Sequence, residues 1–139
     1  MGYSAWFTTH GEKHAIIMQK LIKKSDAEVI AYFRFENMVK QEPTFCPLYK
    51  EHKKCHDIKE LNCYLCACPN FRFNDKGLDK IEEKQLKSYC SIDSKDGAIF
   101  ENEDSIHQDC TACTIPHHEA YISKYFKREW FEIMKKVKP

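Results

Sequence analysis

The chain has 139 residues, 42% hydrophobic and 31% charged, and its 22 basic against 21 acidic side chains leave a formal charge of +1. That length suits one domain, and the near-neutral charge argues against a general binder of nucleic-acid phosphates. The opening residues lack a basic segment followed by a signal-type apolar run, and no run approaches the ~18 apolar residues of a bilayer crossing, so a cytoplasmic protein without membrane contact is expected.

Thr9-His10-Gly11-Glu12 has the form of a capping box and predicts a helix start, followed by an apolar stripe of Ile17, Met18, Leu21 and Ile22. Ser25-Asp26-Ala27-Glu28 repeats the box. It predicts a second helix, or a kinked continuation, through Val29, Ile30 and Phe33 toward Val39, ending before Pro43, although Tyr32 to Phe35 also suit a strand. From Cys46 to Cys68 the sequence promises little regular structure. Leu78 to Lys87 reads as a short helix, and Tyr89 to Asp93 with Ala98 to Glu101 as a hairpin around Asp96-Gly97. Pro116 is placed to open a final helix running to Lys138, with an aromatic stripe that calls for packing against the N-terminal helices.

The expected fold is therefore a small, metal-stabilised α+β unit over residues 1–139. It comprises a helical part (1–42), an irregular cysteine-rich zinc module with a short β-hairpin (43–118) and a C-terminal amphipathic helix (119–139). The middle part is too poor in apolar residues to build its own core, which is where small domains turn to disulfides or metal.

The chemistry lies in the eight cysteines. In a reducing compartment, clustered cysteines serve as metal ligands more often than as disulfides. Cys63-x2-Cys66 and Cys110-x2-Cys113 are knuckles of the kind that aim two sulfurs at one tetrahedral ion, and Cys113 is followed by His117 at a ligand spacing. Eight thiolates exceed one tetrahedral shell, so two zinc ions are expected, which would move the formal charge from +1 to about −3. The close spacing of Cys66 and Cys68 suits sulfurs directed at different ions. The simplest partition assigns Cys63, Cys66, Cys110 and Cys113 to one ion and Cys46, Cys55, Cys68 and Cys90 to the other, with His56 and His117 as substitutes. An iron–sulfur cluster is the alternative cofactor.

Other features have plainer readings. Cys90 alone could be a small buried hydrophobe. His10 and His14 are spaced to share a helix face but lack a carboxylate arrangement, His118 sits at a helix start, and His52 and His107 are expected in solvent. Lys50, Lys53 and Lys54 read as a wet face.

The residues Phe35-Glu36-Asn37, Cys55-His56, Asn62-Cys63-Tyr64-Leu65-Cys66-Ala67-Cys68-Pro69, Cys90 and Asp109-Cys110-Thr111-Ala112-Cys113-Thr114-Ile115-Pro116-His117 resemble the cysteine-rich small domain family, a zinc-finger-like metal-binding module of bacteria and archaea. The resemblance covers roughly residues 35 to 120. It implies metal binding through these cysteines and through His117. The family also includes versions joined to a cobinamide-processing amidohydrolase, a partner not expected within these 139 residues.

No Ser-His-Asp, HExxH, P-loop, dinucleotide or deaminase signature is present, and all-thiolate zinc is a closed site, so a non-enzymatic zinc protein is expected. Its role would be structural or in zinc sensing, buffering or delivery, with the metal ion and a protein as its partners. Two alternatives stand beside it. One is a redox switch, because the cysteine arrangement resembles that of a zinc-dependent, oxidation-activated chaperone family. The other is a recognition module using Lys50, Lys53, Lys54, Phe71, Arg72 and Phe73.

Overall fold

The computed structural model describes residues 2–138, so Met1 and Pro139, the ends of the expected unit, lie outside the described residues. The architecture is mixed α+β. Helices α1 (Tyr3–Lys20), α2 (Asp26–Tyr32) and α3 (Phe35–Gln41) precede a 3₁₀ turn at Pro47–Glu51 and six short strands. A second 3₁₀ turn at Ile115–His117, α4 (Glu119–Tyr125) and α5 (Trp130–Ile133) complete the chain. No described helix is long and apolar enough to cross a membrane.

Helix α1 begins ahead of the box at Thr9. Its first free amides are taken by a distant carboxylate: Asp75 Oδ1 accepts from Tyr3 N–H at 2.7 Å and Oδ2 from Ser4 N–H at 3.0 Å. This supplies an N-cap that no local motif announces. The second box forms as read, with Ser25 and Glu28 bonded reciprocally at the start of α2. The helical run then breaks at Phe33-Arg34 because the cysteine-rich segment attaches there. Cys63 N–H donates to Phe33 O at 2.8 Å and Phe35 N–H to Leu61 O at 2.9 Å, around an antiparallel bridge between Arg34 and Asn62.

Three expectations are corrected in the second half. Residues 78–87 form a hairpin, not a helix: β2 (Asp79–Ile81) pairs with β3 (Lys84–Leu86), the chain reversing at Glu82 with φ 57°. Strand β3 also pairs in parallel with β6 (Ser105–Asp109), and this non-local partner takes up backbone groups that a helix would have satisfied internally. The expected hairpin around Asp96-Gly97 is likewise absent. There, β4 (Ser88–Cys90) pairs with β1 (Phe71–Phe73), and β5 (Ala98–Glu101) pairs with β6. The turn that closes the β5–β6 hairpin is built on Asn102, whose Oδ1 accepts the N–H groups of Asp104 and Ser105.

The final helix is interrupted as well. The guanidinium of Arg128 donates to Lys24 O at 2.6 Å and to Asp26 Oδ1 at 2.8 Å, and reaches Leu21 O at 3.5 Å. These contacts satisfy carbonyls beyond the end of α1 and hold an extended stretch between α4 and α5.

The ends of the chain do pack together. Phe7 meets Trp130 with ring centroids 5.0 Å apart, and Phe73 N–H donates to Val137 O at 2.9 Å. The core around them is aromatic, with Phe33, Phe45, Tyr64, Phe73 and Trp130 buried alongside Val29, Met38, Leu65 and Ile122. His10 and His14 join it, stacked on Trp6 and Phe33 respectively. Burial holds His10 down at about 4, with Lys13 adding to the shift, and His14 at about 3, so both rings are neutral near pH 7.

Candidate metal centre

Asn62 organises the cysteine-rich segment. It is completely buried, and each of its groups is used. Nδ2 donates to Ile30 O at 2.8 Å and Glu119 Oε2 at 3.2 Å, Oδ1 accepts from Tyr64 N–H at 2.9 Å, and the backbone N–H donates to His117 O at 3.1 Å. The Asn62 carbonyl in turn receives His117 Nδ1–H at 2.9 Å. That bond fixes the His117 tautomer and leaves the lone pair on Nε2, which lies 3.8 Å from Cys55 Sγ.

His56 is arranged in the complementary way. Its Nε2–H donates to Cys110 O at 3.0 Å, so the lone pair is on Nδ1, 3.1 Å from Cys55 Sγ. The donor atoms of Cys55, His56 and His117 all lie within 4.8 Å of one another, a group that could hold a metal ion. A tetrahedral zinc shell with bonds of about 2.0–2.3 Å places its ligand atoms roughly 3.3–3.8 Å apart, so modest closure would complete it. His117 is buried and held down to about 4 by desolvation against the Asn62 bond, which keeps the ring neutral as a ligand must be.

The remaining cysteines fall into two neighbourhoods. Both knuckles are closed by a backbone bond between their cysteines, Cys66 N–H to Cys63 O at 3.4 Å and Cys113 N–H to Cys110 O at 3.1 Å. After Cys66 the chain passes through two left-handed residues, Ala67 with φ 88° and Cys68 with φ 51°. The sulfurs of Cys66 and Cys68 consequently face different company. Burial pushes the Cys66 thiol far up, with Cys63, Cys55 and Cys46 adding to it. Cys68 is pushed up to about 11 by burial and then by Cys90 and Cys113. Burial raises Cys110 to about 12, with Cys68, Cys113 and Cys90 contributing.

By their influence on one another's ionisation the thiols group as Cys46, Cys55, Cys63 and Cys66, with His56 and His117 beside Cys55, and as Cys68, Cys90, Cys110 and Cys113. This grouping differs from the sequence-based partition, which put the two knuckles together. It sets the two knuckles apart from one another, and Cys66 apart from Cys68. Cys90 sits on β4, its N–H bonded to Gln108 Oε1 at 3.1 Å, and Ser94 Oγ lies 3.2 Å from Cys113 Sγ.

Tyr49 was not singled out by sequence. Its ring is buried between Phe35 and Phe45, yet its hydroxyl finds no acceptor at hydrogen-bond distance. The groups that bear on it are Cys63, Cys46 and Cys66. Burial raises Cys63 to about 12, an effect that this hydroxyl opposes. A buried O–H with no acceptor at full hydrogen-bond distance, and with Cys63 the thiol that acts on it directly, suits a state in which that sulfur is a thiolate, since a thiolate accepts what a thiol accepts poorly.

Several side chains resolve to local roles. His107 is not in solvent: Tyr3 Oη lies 2.6 Å from its Nδ1 and Ser105 Oγ 3.2 Å from its Nε2. His118 bonds Thr114 within its own turn, and His52 is exposed. Lys54 donates to Ile58 O and Lys59 O and lies over the Phe35 ring, while Phe73 is buried, so the basic and aromatic recognition set does not form one open face.

Cys55, Cys66, Cys68, Cys90, Cys110 and Cys113, with His56 and His117, open onto one cavity of about 470 Å³. Comparisons of the chain with protein-family models, with curated proteins and with solved structures find no match.

Proposed function

We propose that this is a non-enzymatic metal-binding protein carrying two zinc ions. Cys68, Cys90, Cys110 and Cys113 would hold one ion as a closed tetrathiolate that ties β1, β4 and the knuckle after β6 together. The other would be held by Cys63 and Cys66 with ligands drawn from Cys46, Cys55, His56 and His117. The observation that carries this reading is the pair of imidazoles beside Cys55. Each spends its outer N–H on a backbone carbonyl and keeps its free lone pair toward the same sulfur.

Buried thiols resist ionisation, so zinc uptake would displace protons from them and affinity would climb with pH. The first group offers six donors where tetrahedral zinc takes four, and Cys55 is exposed. Surplus donors at an accessible edge favour exchange of the ion, hence buffering or delivery, whereas the second group fits a structural role.

Elemental analysis tests the reading. The purified chain should be colourless and contain about two zinc per molecule. Cys110→Ser should lose one equivalent, and the double variant Cys63→Ser with Cys66→Ser the other. Visible absorption with bound iron, or full zinc content in both variants, would overturn it.

A further inference from the structure

The cavity of about 470 Å³ is larger than two ions need, and much of its wall lies outside the ligand groups. Tyr3, Trp6 and Phe7 of α1 and Phe71 and Phe73 of β1 form an aromatic side, with Ile92 at the rim. In a chain that is 31% charged, no Lys, Arg, Asp or Glu is among the residues lining it. On the aromatic side a phosphate, a carboxylate or a sugar would find no charged side chain and few hydrogen bonds, and leaving its polar groups unpaired would cost more than the contact returns. Water is poorly served too, because an ordered water needs two to four polar partners and an aromatic wall offers few.

The polar groups present are few and partly committed. Gln108 gives its Oε1 to Cys90 N–H at 3.1 Å, which leaves the amide N–H₂ as donor. Asn70 gives its Nδ2–H to Tyr121 Oη at 2.9 Å, which leaves the carbonyl as acceptor. Trp6 is 45% exposed and Ile92 52% exposed, so the space is reached from solvent. Aromatic walls, a volume within the roughly 300–1,000 Å³ of small-molecule sites and a few polar groups are the elements from which such sites are built.

We propose that this cavity is a binding site for a flat, uncharged aromatic small molecule of about two or three rings. Its faces pack on Phe71, Phe73 and Trp6, and its polar edge meets Gln108 and Asn70. Binding is driven by burial of apolar surface in a poorly hydrated space. The aromatic side of the site is built from residues that are not among the candidate metal ligands.

The test uses the full chain as purified, with whatever metal it carries, and N-phenyl-1-naphthylamine, an uncharged aromatic probe whose fluorescence rises on leaving water. Saturable uptake of about one probe per chain is expected. Ile92→Trp, which fills the rim at an exposed position, and Trp6→Ala, which removes part of the wall, should each weaken uptake at least about tenfold. Ile22→Trp, at an exposed position outside the lining, should leave it within about twofold. Circular dichroism confirms that each variant is folded. Absence of saturable uptake, or equal uptake by folded Ile92→Trp, Trp6→Ala and wild-type chains, would overturn the proposal. Metal content measured on the same samples keeps the two readings apart: a zinc-free chain that binds the probe in this pattern sinks only the metal reading, and a zinc-loaded chain that ignores it sinks only this one.

Discussion

Replacing Tyr49 by Phe removes one oxygen and leaves the ring packed on Phe35 and Phe45 with centroids 5.9 and 6.3 Å away. In the metal-free chain that oxygen is buried without an acceptor, a state that costs about 1–3 kcal/mol. Once zinc has converted Cys63 and its neighbours to thiolates, the same hydroxyl becomes a donor to a charged acceptor, a bond worth about 1.5–3 kcal/mol. The substitution should therefore act on the two states in opposite directions. If the metal-free chain keeps its fold, the two effects add and zinc affinity should fall by at least about 2.5 kcal/mol, or roughly 70-fold. If metal loss exposes the hydroxyl to water, the thiolate bond alone sets a loss of about tenfold or more. Competition against a chelator of known zinc affinity measures the change, and thermal melts of loaded and stripped protein locate it. Stripped Tyr49→Phe should melt no lower than stripped wild type. Unchanged zinc affinity would refute the assignment of Tyr49 as a donor to the metal's sulfur shell.

Asn62→Ala removes a buried amide with partners on α2, α4 and the Cys63 knuckle, and should cost about 3 kcal/mol or more, read as a lowered midpoint in urea. Stability should fall with acidification. His10 and His14 titrate at about 4 and about 3 when folded against 6.5 when unfolded, so below pH 6.5 the unfolded chain takes up protons that the folded chain refuses. Each contributes about 2 kcal/mol of destabilisation by pH 5, and in zinc-loaded protein His14→Phe should remove about half of the joint effect in urea titrations at pH 7.5 and 5. His52 is exposed at a helix C-cap with φ 51°, so His52→Gly should raise stability by up to about 1 kcal/mol, seen as a higher melting temperature. Stripping zinc with a chelator should release amide protection across residues 43–118 in hydrogen exchange before it affects α1, whose core contacts are with α5 and the aromatic cluster.

What could be read ahead of the structure was what depends on near neighbours. The box at Ser25 and Glu28 is satisfied within one turn of chain, and it formed. The two Cys-x2-Cys knuckles are likewise local turns, and each closes its own backbone bond. Sequence failed where a distant group supplied the missing partner. Asp75 starts α1 early, Arg128 splits the last helix by reaching the carbonyls beyond α1, and β6 draws residues 84–86 into a sheet. Tyr49 was invisible for the same reason, since a tyrosine in an aromatic stretch looks like core until its hydroxyl is found facing Cys63.

The amino-acid sequence by itself determined the donor inventory: eight cysteines, two knuckles and histidines adjacent to them. Tertiary structure decided which sulfurs share a neighbourhood, which imidazole nitrogen keeps its lone pair and what the aromatic wall beside them encloses. The division has a physical cause. Ligand type is a property of a side chain, but a neighbourhood is a property of chain crossings, and the crossing at Phe33, Asn62 and His117 is made by hydrogen bonds between residues far apart in sequence.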